Sequence, residues 1–205
     1  MALLGTGALA MWWDMAPAMQ GEFQHWHTHE HFPERLAVPG FLRASRWADA
    51  DGGEGFFILY EVRDFGVLAS DAYLAHLNSP TPWSTKLMPH HRNMVRSQCR
   101  VVHSEGGAVA GHALTIRLRD GEGAAALLAG LSMKEGIGGA HLLQAQAPAI
   151  AQTTEQKIRG GKDRVADWVV VLVGYDADAL LAAAGPLAAR EGAVTGRYRL
   201  AMSMP

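Results

Sequence analysis

Four of the ten histidines in the chain fall in one short run, Phe23 to Arg35 (FQHWHTHEHFPER). Read as a helix, this run sets out two rows at i, i+4 spacing, His27/His31 and His25/His29, on faces about 160–200° apart. The His27/His31 row continues back through Met19 and Phe23, both apolar, which turns that row toward the protein interior. Burying imidazoles is costly unless something pairs with them. Imidazole is also the side chain best suited to moving a proton near neutral pH. The spacing therefore predicts a pocket with His27 and His31 as its catalytic pair, and Glu30 orienting one ring or acting as a base itself. Paired helical histidines also hold Zn or Ni in helix-borne metal motifs. Here the order is not HExxH, and a third ligand would have to come from Glu30, His76, His90 or His91. The expectation is chemistry with no cofactor, a divalent metal being the alternative.

Other residues complete the expected site. Arg46 suits a substrate carboxylate or enolate, because guanidinium matches planar oxyanions, and Arg43 falls on the opposite face of the same strand. Trp26, Phe23 and Tyr60 are the expected walls. The stretch Trp83 to Arg96 is polar without a clear period, and reads as a connection that folds over the pocket mouth and brings Trp83 and His90 to the substrate. The glycine-rich pieces at 136–139 and 159–162 lack the strand–turn–helix order of a nucleotide fingerprint and read as turns.

The elements that must position these residues follow from patterning. Hydrophobic residues are 49% and charged residues 19% of the 205, enough for a sizeable core. A net charge of −2 with no basic run speaks against nucleic acid as a partner. One cysteine, Cys99, excludes an internal disulfide or a cysteine zinc cluster and fits a reducing cytoplasm. The apolar start lacks a basic leader and a cleavage site, and no segment is long enough to span a membrane. Strands are predicted over Gly7–Met15, Phe41–Trp47, Gly55–Val62 and Ser97–Ser104, with helices over Pro17–Leu36 and Val67–Asn78. The order β-α-β-β-α-β then repeats. Its strands are Ala108–Leu118, Gly139–Ala147, Asp167–Tyr175 and Ala193–Met202, and its helices are Ala124–Met133 and Ala177–Arg190, the latter interrupted at Gly185-Pro186. This predicts an α+β chain of two tandem ferredoxin-like units, 1–104 and 105–205, packed sheet to sheet as a pseudo-dimeric α/β barrel. The first unit carries the site and the second is mainly structural.

The run from Glu22 to His31, followed by Pro39-Gly-Phe41 and Arg46-Trp47, resembles the EthD-like proteins of the dimeric α/β barrel superfamily over about residues 8–104. Trp26, His27, Glu30, His31 and Arg46 fall on the motif, whereas His25 and His29 depart from it. The resemblance implies a pocket between one unit's sheet and its helices. Its relatives include cofactor-free monooxygenases, isomerases, decarboxylase-like enzymes and, more distantly, haem-binding barrels. The resulting expectation is an enzyme, of lyase or isomerase type, for a small apolar or aromatic carbonyl compound. It would work by histidine acid/base chemistry, with no membrane partner and a possible homodimer. The alternatives are a haem- or metal-dependent barrel enzyme and a non-catalytic small-molecule-binding barrel.

Overall fold

Along the first strand, β1 (Gly7–Met15), every residue but Asp14 is buried, although successive side chains point to opposite faces. Ala8, Ala10 and Trp12 go one way; Leu9, Met11, Trp13 and Met15 go the other, into a separate apolar cluster. Burial on both faces is what makes the strands near-continuous apolar runs, and it requires something on each side of the sheet.

The computed structural model describes residues 2–147, 151–161 and 163–205. After β1 come helix α1 (Pro17–Trp26), a π-helical turn at His27–His31 and α2 (Phe32–Leu36), one unbroken helical run. Strands β2 (Phe41–Asp49) and β3 (Gly55–Val62) form a hairpin. A 3₁₀ turn at Phe65–Ala69, α3 (Asp71–Asn78) and α4 (Pro82–Leu87) lead to β4 (His91–Glu105). The second half holds β5 (His112–Leu118), α5 (Ala124–Leu128), β6 (Ile137–Ala145), α6 (Thr154–Ile158), β7 (Trp168–Gly174), α7 (Ala177–Ala188) and β8 (Val194–Met204). None of these helices is long and apolar enough to cross a membrane.

The eight strands close into one barrel in the order β1-β3-β2-β8-β5-β7-β6-β4, and all neighbours are antiparallel. The first four strands lie β4-β1-β3-β2 and the last four β8-β5-β7-β6, the same α+β ferredoxin-like order twice. The two sheets join through hydrogen-bonded edges, β2 to β8 and β4 to β6. Their inner faces fill the barrel with Trp12, Trp47, Phe57, Leu59 and Val169, Val171 and Val173 of β7. Phe57 stacks on Trp12 and Trp47 with ring centroids 5.1 and 5.4 Å apart, and Trp12 Nε1 donates to Thr115 Oγ1 across the ring at 3.2 Å. The middle of the interior is thus a packed core of aromatic and aliphatic side chains.

Several boundaries differ from the expectation for local reasons. The helix expected over Val67–Asn78 is divided at Ser70, whose Oγ caps α3 by accepting from Tyr73 N. The one over Ala124–Met133 breaks at Gly130, which has φ 78°. Conversely α7 runs on through Gly185-Pro186 to Ala188. The stretch Trp83–Arg96 is ordered as α4, a 3₁₀ turn and the first part of a 15-residue β4, and α6 was not anticipated.

Residues 2–105 expressed alone would expose the edges of β2 and β4 and the apolar inner face of one sheet. That fragment is expected to dimerise through those edges in sedimentation analysis. A stable, well-folded monomer would contradict the closure argument.

Candidate functional site

The helical run after β1 begins with Pro17 in its first turn, where a missing N–H costs nothing. Its inward row is Phe23, His27 and His31, all at most 6% exposed, with Trp26 and Phe32 beside them. At His27–His31 the hydrogen bonding widens to a π turn, with Phe32 N donating to His27 O. Such turns are frequent at functional sites. His27 and His31 stack with centroids 5.3 Å apart, and His31 also lies against Trp26 at 4.5 Å. His25 and His29 are on the exposed face, 4.7 Å apart, with Trp83 over His25.

Beneath the inward row lies a cavity between the helices and the outer face of the first sheet. It is lined by Leu9, Met11 and Trp13 of β1, Tyr60 of β3, His91 and Met94 of β4, and Trp26, His27, His31 and Arg35, among others. Only about 30 Å³ of it admits the centre of a water molecule, room for one or two waters.

Each imidazole has a distinct setting. Arg46 Nη1 lies 3.2 Å from His27 Nδ1, and a guanidinium only donates. Nδ1 is therefore the bare nitrogen, and the proton sits on Nε2, which is buried and has no partner among the described residues. His91 has the opposite tautomer. Its Nδ1 donates to the Met88 carbonyl at 3.1 Å, which leaves a lone pair on Nε2. His31 Nδ1 is buried without a hydrogen bond; the nearest carboxylate oxygen, Glu34 Oε2, is 3.9 Å away. Burial first, then the positive charge of Arg46, holds His27 well below the ordinary histidine range. His31 is held down by burial and then Arg35. His91, partly exposed but packed edge-on to Trp13 at 4.9 Å, is pushed down to about 3, again chiefly by burial. All three rings are neutral at pH 7.

The expected site residues separate into those that reach the cavity and those that do not. Trp26, His27, His31 and Tyr60 line it. Phe23 stands behind His27, ring to ring at 5.1 Å. Arg46 does not line the cavity; it lies against His27 Nδ1, and burial lowers it only to about 10, so it keeps its charge. Glu30 is turned away, accepting from Trp26 Nε1 and from Thr81 Oγ1, the residue that caps α4. Trp83 is on the outer face, bonded to Glu22, and His90 is exposed. His91 takes the place expected of His90, because β4 begins at His91 and pairs it with Met15. Arg35, Arg159 and Glu155 also line the cavity and were missed. Cys99 lies inside the barrel with its thiol pushed up to about 12 by burial, far from nucleophilic behaviour. No three His, Cys, Asp or Glu side chains among the described residues converge as a metal site.

Neither a protein-family model nor a curated protein sequence matches the chain. Solved structures do. A candidate monooxygenase from Fusobacterium nucleatum subsp. nucleatum is 10% identical with a TM-score of 0.61, over 98% of this chain and 95% of that one. An anthrone oxidase-like protein is 11% identical with a TM-score of 0.62, over 100% and 95%. A candidate monooxygenase from Lactobacillus acidophilus is 10% identical with a TM-score of 0.56, over 97% and 95%. The likeness is one of fold. It is the ferredoxin-like dimeric α/β barrel, here made by a single chain.

Neutral buried imidazoles make stability depend on pH. The folded pKa values of His27, His31 and His91 lie below the unfolded value, so below about pH 6.5 the unfolded chain takes up protons that the folded chain refuses. Their contribution is complete above pH 6.5 and is lost as pH falls toward 4, by at most ~1.4 kcal/mol per pH unit for each ring. Urea unfolding at pH 7, 6, 5 and 4 should show this decline, with a shallower slope in His91→Gln. An unchanged slope would mean that His91 is not held neutral.

Proposed function

We propose that this protein is an enzyme that removes a proton next to a carbonyl in a small, largely apolar or aromatic compound. The observation that carries the reading is the pair of neutral rings in one cavity, one with a fixed N–H and the other without a hydrogen bond of its own. His27 Nε2–H is placed to donate to the carbonyl oxygen as it becomes an enolate, and Arg46 on Nδ1 holds that tautomer and supports the developing negative charge. His31, stacked beside it, is the proton acceptor. His91 is the second candidate base, because its bond to the Met88 carbonyl fixes a lone pair on Nε2.

Proton abstraction is the step shared by isomerisation, elimination and decarboxylation-type chemistry, and by oxidations in which the carbanion then meets oxygen. The anthrone oxidase-like neighbour supports the choice, since an anthrone has acidic hydrogens beside its carbonyl system. The narrower likeness to EthD-like proteins rests on Trp26, His27, Glu30, His31 and Arg46. Haem does not fit this cavity. Trp13, Trp26, His27, His31 and His91 pack with ring centroids 4.5–6.2 Å apart and leave no slot for a porphyrin between them. Among the described residues, the exposed His25/His29 pair has no third His, Cys, Asp or Glu with which to hold a metal ion.

Hydrogen–deuterium exchange at carbon tests the step without knowledge of the full reaction. Carbonyl compounds with acidic α-hydrogens, anthrone among them, are incubated with protein in D₂O and followed by NMR. Wild type should accelerate exchange of at least one, and His31→Ala should slow it by roughly 10²–10⁴-fold, the usual range for a general base. His27→Ala should also slow it, whereas His25→Ala on the exposed face should change little. Equal losses from His25→Ala and His31→Ala would refute the assignment, and loss confined to His91→Ala would move the base to that residue.

A further inference from the structure

The cavity is short of acceptors. Five of its lining residues carry a buried donor with no partner among the described residues: Trp13 Nε1, His27 Nε2, Arg35 Nη1, Tyr60 Oη and Arg159 Nε. Buried donors left unpaired are costly, so a ligand that completes this site brings oxygens that accept. The charges point the same way. Arg35, Arg96 and Arg159 line the space against a single carboxylate, Glu155. Glu34 and Asp163 stand behind the arginines, 3.5 Å from Arg35 Nη1 and 2.8 Å from Arg159 Nη2, and do not line it.

Glu155 comes from the other half of the chain. It sits in α6, on the excursion between β6 and β7, and is 3% exposed. It accepts from Arg35 Nη2 and lies 3.8 Å from Arg159 Nη1. The five-residue helix that carries it is capped by its own Thr153/Gln156 box and held to α3 by Thr154 N donating to Asn78 Oδ1 at 3.1 Å. With Glu155 in place the cavity has room for one or two waters, and each flanking guanidinium still has an unused donor.

We propose that the cavity takes a small organic anion, an apolar body bearing a carboxylate or similar planar oxyanion, and that this group replaces Glu155 on Arg35 and Arg159. This rests on the cavity being the substrate site. The exchange keeps both buried guanidiniums paired. An uncharged ligand that displaced Glu155 would leave Arg35 with Glu34 alone and Arg159 with Asp163 alone, and would strip a charged partner from each buried guanidinium, which is unfavourable. Selection is therefore by charge, and admission of the ligand is coupled to release of α6.

The test uses the full chain and two probes of one shape, 2-naphthoate and its uncharged amide, 2-naphthamide. Binding is read from quenching of tryptophan fluorescence, since Trp13 and Trp26 line the cavity. Naphthoate should bind more tightly than the amide by roughly ten- to a hundredfold, the worth of hydrogen bonds to a charged group. Glu155→Gln removes the resident anion, so it should tighten naphthoate and leave the amide unchanged, even as the melting temperature falls. A Glu155 that serves only structure would lower stability and affinity together. Arg159→Gln should weaken naphthoate alone. Equal binding of the two probes, or weaker naphthoate binding by Glu155→Gln, would overturn the proposal. Tight amide with weak naphthoate would discard the anion and leave the histidine chemistry intact. If neither probe binds wild type or Glu155→Gln, the proposal falls, and carbon exchange still decides the histidine reading independently.

Discussion

Closure of the strand ring is the constraint on which the other features depend. Each sheet of four has two open edges, and the β2–β8 and β4–β6 ladders remove all four at once. An antiparallel ring of this size is just wide enough for side chains to fill it. Trp12, Trp47 and Phe57 occupy much of that width and, among the described residues, pack it with stacked rings. The other face of every strand must then be covered from outside, and the helices supply the cover. A ligand site in such a molecule belongs in the layer between helix and sheet.

The two halves use that layer differently. Over the second sheet, α5 and α7 press leucines and alanines onto Leu114, Ile116, Leu142, Val170 and Leu172 of the strands. Over the first, the helical run from Pro17 to Leu36 lays Phe23, Trp26, His27 and His31 on β1 and β3, and arginines close the sides. The second arrangement sacrifices stability, because desolvated rings must stay neutral and several donors lack partners. Rigid strands and a helix hold those groups in place, His27 against Arg46, His91 on the Met88 carbonyl and His31 against Trp26.

Much of this architecture was legible, because it rests on period and composition. The boundaries of β1 and β3 coincide with apolar runs flanked by Pro17, by Gly55 and by the Asp49–Gly53 turn. The inward row was readable from Met19 and Phe23, since hydrophobic neighbours four residues away orient a helix face without any tertiary information. The residues that were misplaced depend on contacts a linear pattern does not contain. Whether His90 or His91 points inward is decided by the residue at which β4 begins to pair with β1, and Met88-Pro-His90 gives no periodic signal for that. Glu30 is drawn outward by Trp26 and by Thr81, which lies 51 residues further on. Arg46 was placed on the correct strand, where it lies against His27 Nδ1 and does not line the cavity. α6 had one local mark that went unread, the Thr153-x-x-Gln156 capping box.

Arg35 and Glu155 show why a repeated fold need not divide its labour along the repeat. Arg35 ends the site helix of the first half, and its counter-ion comes 120 residues later from a connection in the second. In a simple hairpin β6 and β7 would be joined by a few residues, as β2 and β3 are at Asp49–Gly53. None of the described residues of the longer excursion enters the aliphatic cluster over the second sheet. It lies instead against α3 and the turn before β4, across the wall of the first half's cavity. A separate copy of the same unit would have to carry this segment on every subunit, with its own helix cavity to match. Fusing the units removes that symmetry requirement, so one half can keep the imidazoles and the other supply the carboxylate that faces them.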